Sequence, residues 1–553
     1  MGKDFVASAV KSMLDCVLST NADPTSRAGY ALAIGCVLRH VGVMSVSHHL
    51  PTTVGILSSL SNDVNPVLHT FALHSLCAVL DVAGLAYQPF TQSTMDLVCR
   101  HFFSDTHASP SDSNECVTDT FVSLGKIIAS LLATVGPELQ QSASLLDTSI
   151  CLYFELVKHQ DPAVITEALK CAQQIALFAP ASLPPARLMP DLQRLLLDAP
   201  LSLRRVCISC IRQLVQGAPS AVVAAADHID EQLCTVYDRE DDEVNREDIS
   251  VALGFLLQAT GPTSPSAWIA LCRAVLTGVA TGASAAGAAE AEALGGGDDD
   301  DDEQPPTAAP SRAPAPIAAA VNLYTFKGQA RSPTKILLVH LLSRLLSLLD
   351  RQKEHFDLAL ARQGRGDLLV LKLADLVRLM FNAATGTIPE LRLAGLQLLE
   401  DIASRFGASM DPDYEDHSIL EQYLAQIMST LRPAFAADAP PLVTAEACRV
   451  AAAYLESGAA VESSDISRVV KLITSVVATS EAGDSAAEPT EGDEQAPSSV
   501  FRLKMHISPF EKIIVELASL SASATLYCKP AFAPYLNPYA RVIESVLINI
   551  SVG

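Results

Sequence analysis

Apolar side chains recur at steps of three and four residues along most of the chain, which places them on one face of an α-helix. The periodic segments are about 12–20 residues long, a usual length for helices of globular proteins. They end at Gly- and Pro-containing breaks such as 135–137, 217–219 and 260–262. Alternating strands of useful length and hairpin turns are not evident. The pattern therefore predicts an all-α chain.

Several of the periodic segments share one template. Each begins at a proline, in a position where the first turn of a helix needs no N–H donor. A small or β-branched residue follows six positions later and would let a neighbouring helix approach closely. The prolines are Pro66, Pro162, Pro200 and Pro389, and the residues six positions later are Ala72, Ala168, Val206 and Gly395. A further copy, from Asp242, lacks the proline.

The distance between copies indicates the class of repeat. The step from Pro162 to Pro200 is 38 residues, and the next step, to Asp242, is 42 residues. A period of about 40 residues with two helices per unit is typical of HEAT and armadillo repeats, whereas ankyrin and tetratricopeptide units are shorter. We therefore predict an all-α, HEAT/armadillo-type α-solenoid, a superhelix of antiparallel helix pairs with about twelve units.

Two stretches interrupt the repeats. Residues 281–330 are acidic and Pro/Ala-rich, and residues 480–499 form a second acidic segment. Gly, Pro and like charges bury too little apolar surface to offset chain entropy, so both are predicted to be disordered. The expected domains are solenoid blocks at 1–280 and 331–479, separated by the first linker, and a helical C-terminal segment at 500–553.

The charge is strongly acidic and unevenly distributed. The chain has 38 basic and 62 acidic residues, a formal net charge of -24. Eight acids lie in 290–303 and six in 481–494, so the rest of the chain has an ordinary surface charge. Such a chain lacks the basic surface of a phosphate-backbone binder, which argues against a nucleic-acid partner.

The cysteines and the hydropathy indicate the compartment. Thirteen cysteines are scattered through apolar helical stretches, and buried free thiols are typical of a reducing, intracellular compartment. We expect no secretory signal and no membrane-spanning helix, since the best candidate, Val64 to Leu80, contains several polar residues. The prediction is a cytosolic protein whose membrane contact is peripheral.

Local motifs indicate no catalytic, cofactor or metal site. Cys207 and Cys210 have CxxC spacing but lack a second pair for zinc, so packing in the repeat core is favoured. His48 and His49 are expected in a loop before a helix, without further metal ligands nearby. Gly125-Lys126 fails the pattern of a phosphate-binding loop. An enzymatic function is therefore the weakest interpretation.

Two acidic runs allow two interpretations each. Asp298 to Glu303 is interpreted as a solvated spacer, and Asp238 to Asp248 as acids that complement the N-terminus of a helix. The alternative for the first run is attraction of cations or of a basic partner surface, and the alternative for the second is a contact with a partner.

Longer strings carry a resemblance to a known family. They include SRAGYALAIGCVLRHVG from Ser26, TVGPELQ from Thr134, LRRVCISCIRQLVQ from Leu203 and LVLKLADLVRLMFNAAT from Leu369. Through such strings, which are collinear from about residue 26 to 475, the chain resembles the HEAT-repeat-containing protein 5 family. Family members are much longer and residues 501–553 match poorly, so we expect an internal segment, a short form or an incomplete gene product.

The resemblance implies a non-enzymatic scaffold. The family acts with clathrin adaptor protein complex 1 and its accessory proteins at the trans-Golgi network and endosomes, in cargo sorting and endosome-to-Golgi transport, and is also associated with dynein–dynactin-driven motility. Two other classes of HEAT protein stay open as alternatives, nuclear transport receptors and phosphatase or kinase regulatory subunits. Residues that contact a partner are not identifiable from the sequence.

Overall fold

The computed structural model describes most of the repeat region. The described residues are 3–19, 23–41, 43–63, 65–105, 114–197, 199–277, 330–363, 366–414, 417–436, 438–457, 468, 469 and 472. Within them the α-helices are α1 (Lys3–Leu18), α2 (Pro24–Val41), α3 (Val43–Leu60), α4 (Pro66–Ala83), α5 (Thr91–Asp105), α6 (Asn114–Val135), α7 (Ala143–Leu156), α8 (Pro162–Phe178), α9 (Pro185–Leu195), α10 (Leu201–Gly217), α11 (Pro219–Ala225), α12 (Ile229–Arg239), α13 (Glu243–Thr260), α14 (Pro265–Thr277), α15 (Ser332–Leu349), α16 (Leu358–Gln363), α17 (Leu373–Ala384), α18 (Pro389–Phe406), α19 (Leu424–Ala434) and α20 (Pro441–Glu456). Short 3-10 segments join some of them, and the only β-type pairing in the described ranges is an isolated bridge between Met410 and Ser418. The predicted all-α, HEAT/armadillo-type fold is confirmed.

The repeated prolines begin helices for local reasons. Asn65 precedes α4, and its side-chain oxygen accepts the N–H of Val67 at 3.0 Å. Asp161 does the same for α8, accepting the N–H of Ala163 at 2.8 Å. In both cases the following proline stands at the first helical position, where its missing N–H costs nothing. Pro389 likewise begins α18, whereas Pro200 is the residue immediately before α10.

The helices divide into two compact units. The first comprises residues 1–229 and 240–255, and the second comprises 230–239 and 256–553. In the first unit α2, α4, α6, α8 and α10 pack one against the next, and we call these five helices the inner row. The preceding helices α1, α3, α5, α7 and α9 each pack on their inner partner. The core is therefore built between neighbouring pairs, as in other solenoids.

Small residues set the helix spacing in the inner row. A Cβ on Gly35 of α2 would lie 3.1 Å from Ser75 Cα of α4, and the Ser75 hydroxyl donates to the Ala31 carbonyl at 2.8 Å. A Cβ on Gly125 of α6 would lie 2.7 Å from Glu167 Cβ of α8. Larger side chains at these two glycines would push the neighbouring helices apart.

In the second unit, α15 packs against α18 and α18 against α20, while α14, α17 and α19 pack on them. The helices α17 and α18 approach closely at Gly395, where an added Cβ would overlap the backbone N of Ala384. Polar contacts fix the helix that begins at Pro265. The buried Trp268 Nε1–H donates to the Thr260 hydroxyl at 2.9 Å, and the Ser266 N–H donates to an Asp367 carboxylate oxygen at 2.9 Å.

The domain boundaries predicted at 280, 330, 479 and 499 stay predictions. Most of the linker at 281–330, the segment at 480–499 and the segment at 500–553 lie outside the described residues.

By length and composition alone, three helical stretches are apolar enough to cross a membrane. They are Val67–Ser104, Asp119–Gln141 and Ser332–Leu349, and the bent pair α10 and α11 would be a fourth. The prediction that no such stretch exists is therefore wrong by these criteria. Roughly half of each of the three windows is buried within the protein, because helices such as α4 pack against neighbours on two sides.

The histidines His48 and His49 lie inside α3, so the predicted loop is wrong. The helix continues through Pro51, although an interior proline removes a backbone hydrogen bond and costs about 3 kcal/mol. Leu50, Val54 and Leu57 are buried at helical spacing on the same helix. Burial of three such side chains, at about 1.5–3 kcal/mol each, offsets the cost of the proline.

Candidate partner-binding groove

An open groove of about 910 Å³ follows the inner row of the first unit. Each of the five helices contributes one basic side chain to its lining, and we call this set the basic row: Arg39, His74, Lys126, Lys170 and Arg205. Asp81 and Glu167 are the carboxylates among the lining residues. Among the lining residues, four permanent cations thus face two acids, which is a local excess of positive charge on a chain that is acidic as a whole.

Ion pairs hold most of the basic row in place. Arg39 lies 3.6 Å from Asp81, and Lys170 Nζ lies 2.8 Å from Glu167 Oε1, on a carboxylate that is buried. Arg205 lies 2.8 Å from Asp242. Lys126, by contrast, is half-buried and has no carboxylate partner among the described residues. Its ammonium group is therefore the one most available to a ligand.

The surroundings of His74 in the groove change the pKa of its imidazole. Burial lowers the pKa of this imidazole, and the nearby cations Lys126 and Arg39 lower it further, against a smaller opposite effect of Asp119. A lowered pKa means that the neutral imidazole is favoured at neutral pH. The positive charge of the groove at that pH therefore comes from the Arg and Lys side chains.

This groove is not evident from the sequence. Its basic residues are separated by 35 to 52 positions in the chain, and no local motif joins them. A signal was present in the repeat template, because His74 and Lys170 both stand eight positions after the template proline, at Pro66 and Pro162. Gly125 and Lys126, considered only as a failed phosphate-binding loop, lie within α6, where Gly125 allows the close approach of α8 and Lys126 lines the groove.

The CxxC pair lies in the core of the first unit. Cys207 and Cys210 are fully buried on α10, and the Cys207 thiol donates to the Leu192 carbonyl with a sulfur–oxygen distance of 3.3 Å. Burial raises the pKa of Cys210 to about 12 and that of Cys207 well above its usual value. The prediction that these thiols pack in the core is confirmed. Within the described residues, no group of three or more His, Cys, Asp or Glu side chains is arranged to hold a metal ion.

We expect thiol reactivity to follow this burial. In the native chain at neutral pH a maleimide should label the exposed Cys36 and Cys151, whereas Cys207 and Cys210 should react only after denaturation. Peptide mass spectrometry after labelling measures both classes in one sample, and the denatured chain is the control for reagent access. Rapid native labelling of Cys207 would contradict the buried position of α10.

The acidic run from Asp238 to Asp248 is held by arginines of α10. The Glu240 carboxylate accepts from Arg204 Nε at 2.6 Å and Nη2 at 3.0 Å, and from the Asn245 side chain at 3.0 Å. Asp242 accepts the N–H of Asn245 at 3.1 Å at the start of α13. Both contacts support the structural interpretation of this run. The other acidic run, Asp298 to Glu303, lies outside the described residues.

Comparison with known families agrees with the resemblance noted in the sequence. Residues 368–547 match the family described as the Laa1/Sip1/HEATR5 HEAT repeat region. This match confirms the resemblance to the HEAT-repeat-containing protein 5 family.

Two curated relatives cover different shares of the chain. Protein SWEETIE of Arabidopsis thaliana is 28% identical over 465 residues, which is 83% of this chain and 20% of that protein. AP-1 accessory protein LAA1 of Saccharomyces cerevisiae is 38% identical over 86 residues, 16% of this chain and 4% of that protein. The chain thus spans about a fifth or less of the length of these relatives.

Solved structures with a similar trace include a crystal structure of importin beta and a designed armadillo repeat protein. The importin beta structure is 14% identical and covers 95% of this chain and 53% of its own, with a TM-score of 0.49. The designed protein is 14% identical and covers 44% of this chain and 98% of its own, with a TM-score of 0.35.

The sequence comparisons indicate a chain with HEAT repeats that is related to the AP-1 accessory protein LAA1.

Proposed function

We propose that this chain is a non-enzymatic scaffold that supports sorting by clathrin adaptor protein complex 1 and transport from endosomes to the Golgi. The observation that carries the proposal is the match of residues 368–547 to the Laa1/Sip1/HEATR5 repeat region. The relation to a protein described as an AP-1 accessory protein supports the choice of partner.

The architecture is suited to binding proteins. Stacked helix pairs present an extended surface on which a partner contacts several repeats at once. In the first unit that surface includes the groove along the inner row, which is open and lined by charged, polar and small apolar residues.

The proposal extends to location and to further partners. A scaffold of this kind acts in the cytoplasm, at the cytosolic face of the trans-Golgi network and endosomes, and reaches the membrane through its partners. The association with dynein–dynactin implied by the family resemblance stays a prediction.

We expect the endogenous chain, purified through an affinity tag after mild lysis, to be enriched in the large subunits of adaptor protein complex 1. An untagged culture is the control for background, and quantitative mass spectrometry is the measurement. Absence of every adaptor and coat subunit would reject the proposal. Capture of the GTP-bound form of Ran in their place would favour the nuclear transport alternative.

A further inference from the structure

We propose that the groove of the first unit binds an extended acidic peptide of a partner protein, with a carboxylate at every third peptide residue facing one side chain of the basic row. Four of these side chains are cations, and the fifth, His74, is a neutral imidazole that can donate an N–H to a carboxylate. This inference rests on the proposed scaffold function in taking the occupant to be a segment of a protein.

The geometry of the inner row gives the spacing. Neighbouring packed helices lie about 8–10 Å apart, and an extended chain advances about 3.3 Å per residue. Three peptide residues therefore span about one helix spacing. A polyproline II conformation, with three residues per turn, also returns the same face at this interval. The five helices together would accommodate about twelve residues.

The charges favour an acidic ligand. The whole chain has a net charge of -24, so an anionic peptide is repelled by most of its surface and attracted where cations are concentrated. Lys126 has no ion pair to break, and the exposed Arg39–Asp81 pair, at 3.6 Å, costs little to separate. The fields of Lys126 and Arg39 reach His74, whose pKa they lower together with burial.

The remaining lining is suited to the peptide backbone. Gln173 and Gln174 of α8 and Ser209 of α10 supply side-chain donors and acceptors along the groove. Leu85, which is 77% exposed, also lines the groove and offers an apolar contact. A compact anion would meet only one or two of the basic side chains, whereas an extended segment meets all five.

The test uses the full purified chain and two fluorescent twelve-residue peptides of one composition. One peptide has Asp at every third position, and its isomer has the same Asp residues in one block. Fluorescence anisotropy at low ionic strength measures affinity, because exposed charge contacts are screened by salt. We expect the periodic peptide to bind more tightly than the isomer. Equal affinities would overturn the three-residue spacing.

Matched variants locate the site. Lys126→Ala combined with Arg39→Ala should weaken binding of the periodic peptide about tenfold, since two charge contacts are removed. Lys158→Ala combined with Arg100→Ala removes the same charge from exposed positions outside the groove and should leave affinity within about twofold. Circular dichroism confirms that both variants are folded. Equal losses in the two variants would reject the groove as the site.

Vesicles of phosphatidylserine and phosphatidylcholine test whether the ligand of the groove is an anionic membrane and not a peptide. The proposal would be overturned in favour of a lipid ligand if the chain binds vesicles but not the periodic peptide, and if Lys126→Ala combined with Arg39→Ala abolishes the vesicle binding.

The co-purification of adaptor subunits distinguishes failure of the peptide-binding groove from failure of the proposed trafficking function. Co-purification of adaptor subunits without peptide binding rejects only the groove, whereas peptide binding without co-purification rejects only the trafficking function.

Discussion

Arg204→Ala should lower the free energy of unfolding of the first unit by about 3 kcal/mol, as expected when one partner of a buried ion pair is removed. The Glu240 side chain is 1% exposed and is held by two hydrogen bonds from the Arg204 guanidinium. Without that guanidinium, a buried carboxylate loses its cationic partner and keeps neutral donors such as the Asn245 side chain and the backbone N–H groups of Asp241 and Asp242. Urea denaturation followed by circular dichroism measures the change.

Arg205→Ala is the matched control, because the neighbouring residue makes the same kind of pair at the surface. The Arg205 side chain is 50% exposed and lies 2.8 Å from Asp242. Removal of such a pair changes stability by about 0–1 kcal/mol. Equal losses in the two variants would mean that the Arg204–Glu240 pair is not buried in solution.

Because of the same ion pair, we expect the free energy of unfolding to fall at acidic pH. Burial alone would raise the pKa of Glu240, but hydrogen bonds from Arg204 and Asn245 outweigh it and hold the pKa at about 2, below the ordinary value of 4.5. A folded-state pKa below the unfolded one stabilises the protein above pH 4.5, and this contribution is lost as the pH falls from 4.5 towards 2. In Arg204→Ala the free energy of unfolding should therefore decrease less between pH 4.5 and pH 2 than it does in the unmodified chain. In Arg205→Ala the decrease over this range should be the same as in the unmodified chain.

Gly395→Ala should destabilise the second unit by about 2–3 kcal/mol, in the range found for overpacking. The added Cβ would overlap Ala384 N and lie 2.8 Å from Ala384 Cα. These are backbone atoms at the end of α17, so no side-chain rotation relieves the contact, and α17 and α18 have to separate. Urea denaturation and differential scanning calorimetry measure the effect.

Gly55→Ala is the control for helix propensity. Gly55 lies in α3, is exposed, and an added Cβ meets nothing within 4 Å. An alanine there should stabilise the chain by about 0.5–1 kcal/mol, since glycine is the poorer helix former. A stabilising effect at both glycines would contradict the close contact of α17 and α18.

Local signals account for what the sequence predicted well. Pro66, Pro162 and Pro389 begin helices because a proline at the first helical position, with Asn65 or Asp161 before two of them, satisfies the helix end within a few residues. The small template residue at Gly395 is likewise matched by a close helix contact. These features depend on neighbours in the chain and on one packing partner.

Long-range packing accounts for what the sequence did not predict. His48 and His49 were expected in a loop before a helix, but the buried side chains of Leu50, Val54 and Leu57 keep α3 continuous through this region. The basic row is assembled from one residue per repeat, so it exists only when successive inner helices stack in register. Within any single repeat, an isolated lysine or histidine on a helix surface is indistinguishable from an ordinary solvated one.

The tryptophan at the start of α14 gives the chain a built-in optical reporter. The sequence contains one Trp, and Trp268 lies in the second unit, buried, with its indole N–H bonded to Thr260. Its emission therefore reports on the surroundings of the second unit alone, whereas far-ultraviolet ellipticity sums the helices of both. Coincident emission and ellipticity transitions in one titration identify unfolding as a single cooperative event, and separated transitions identify two.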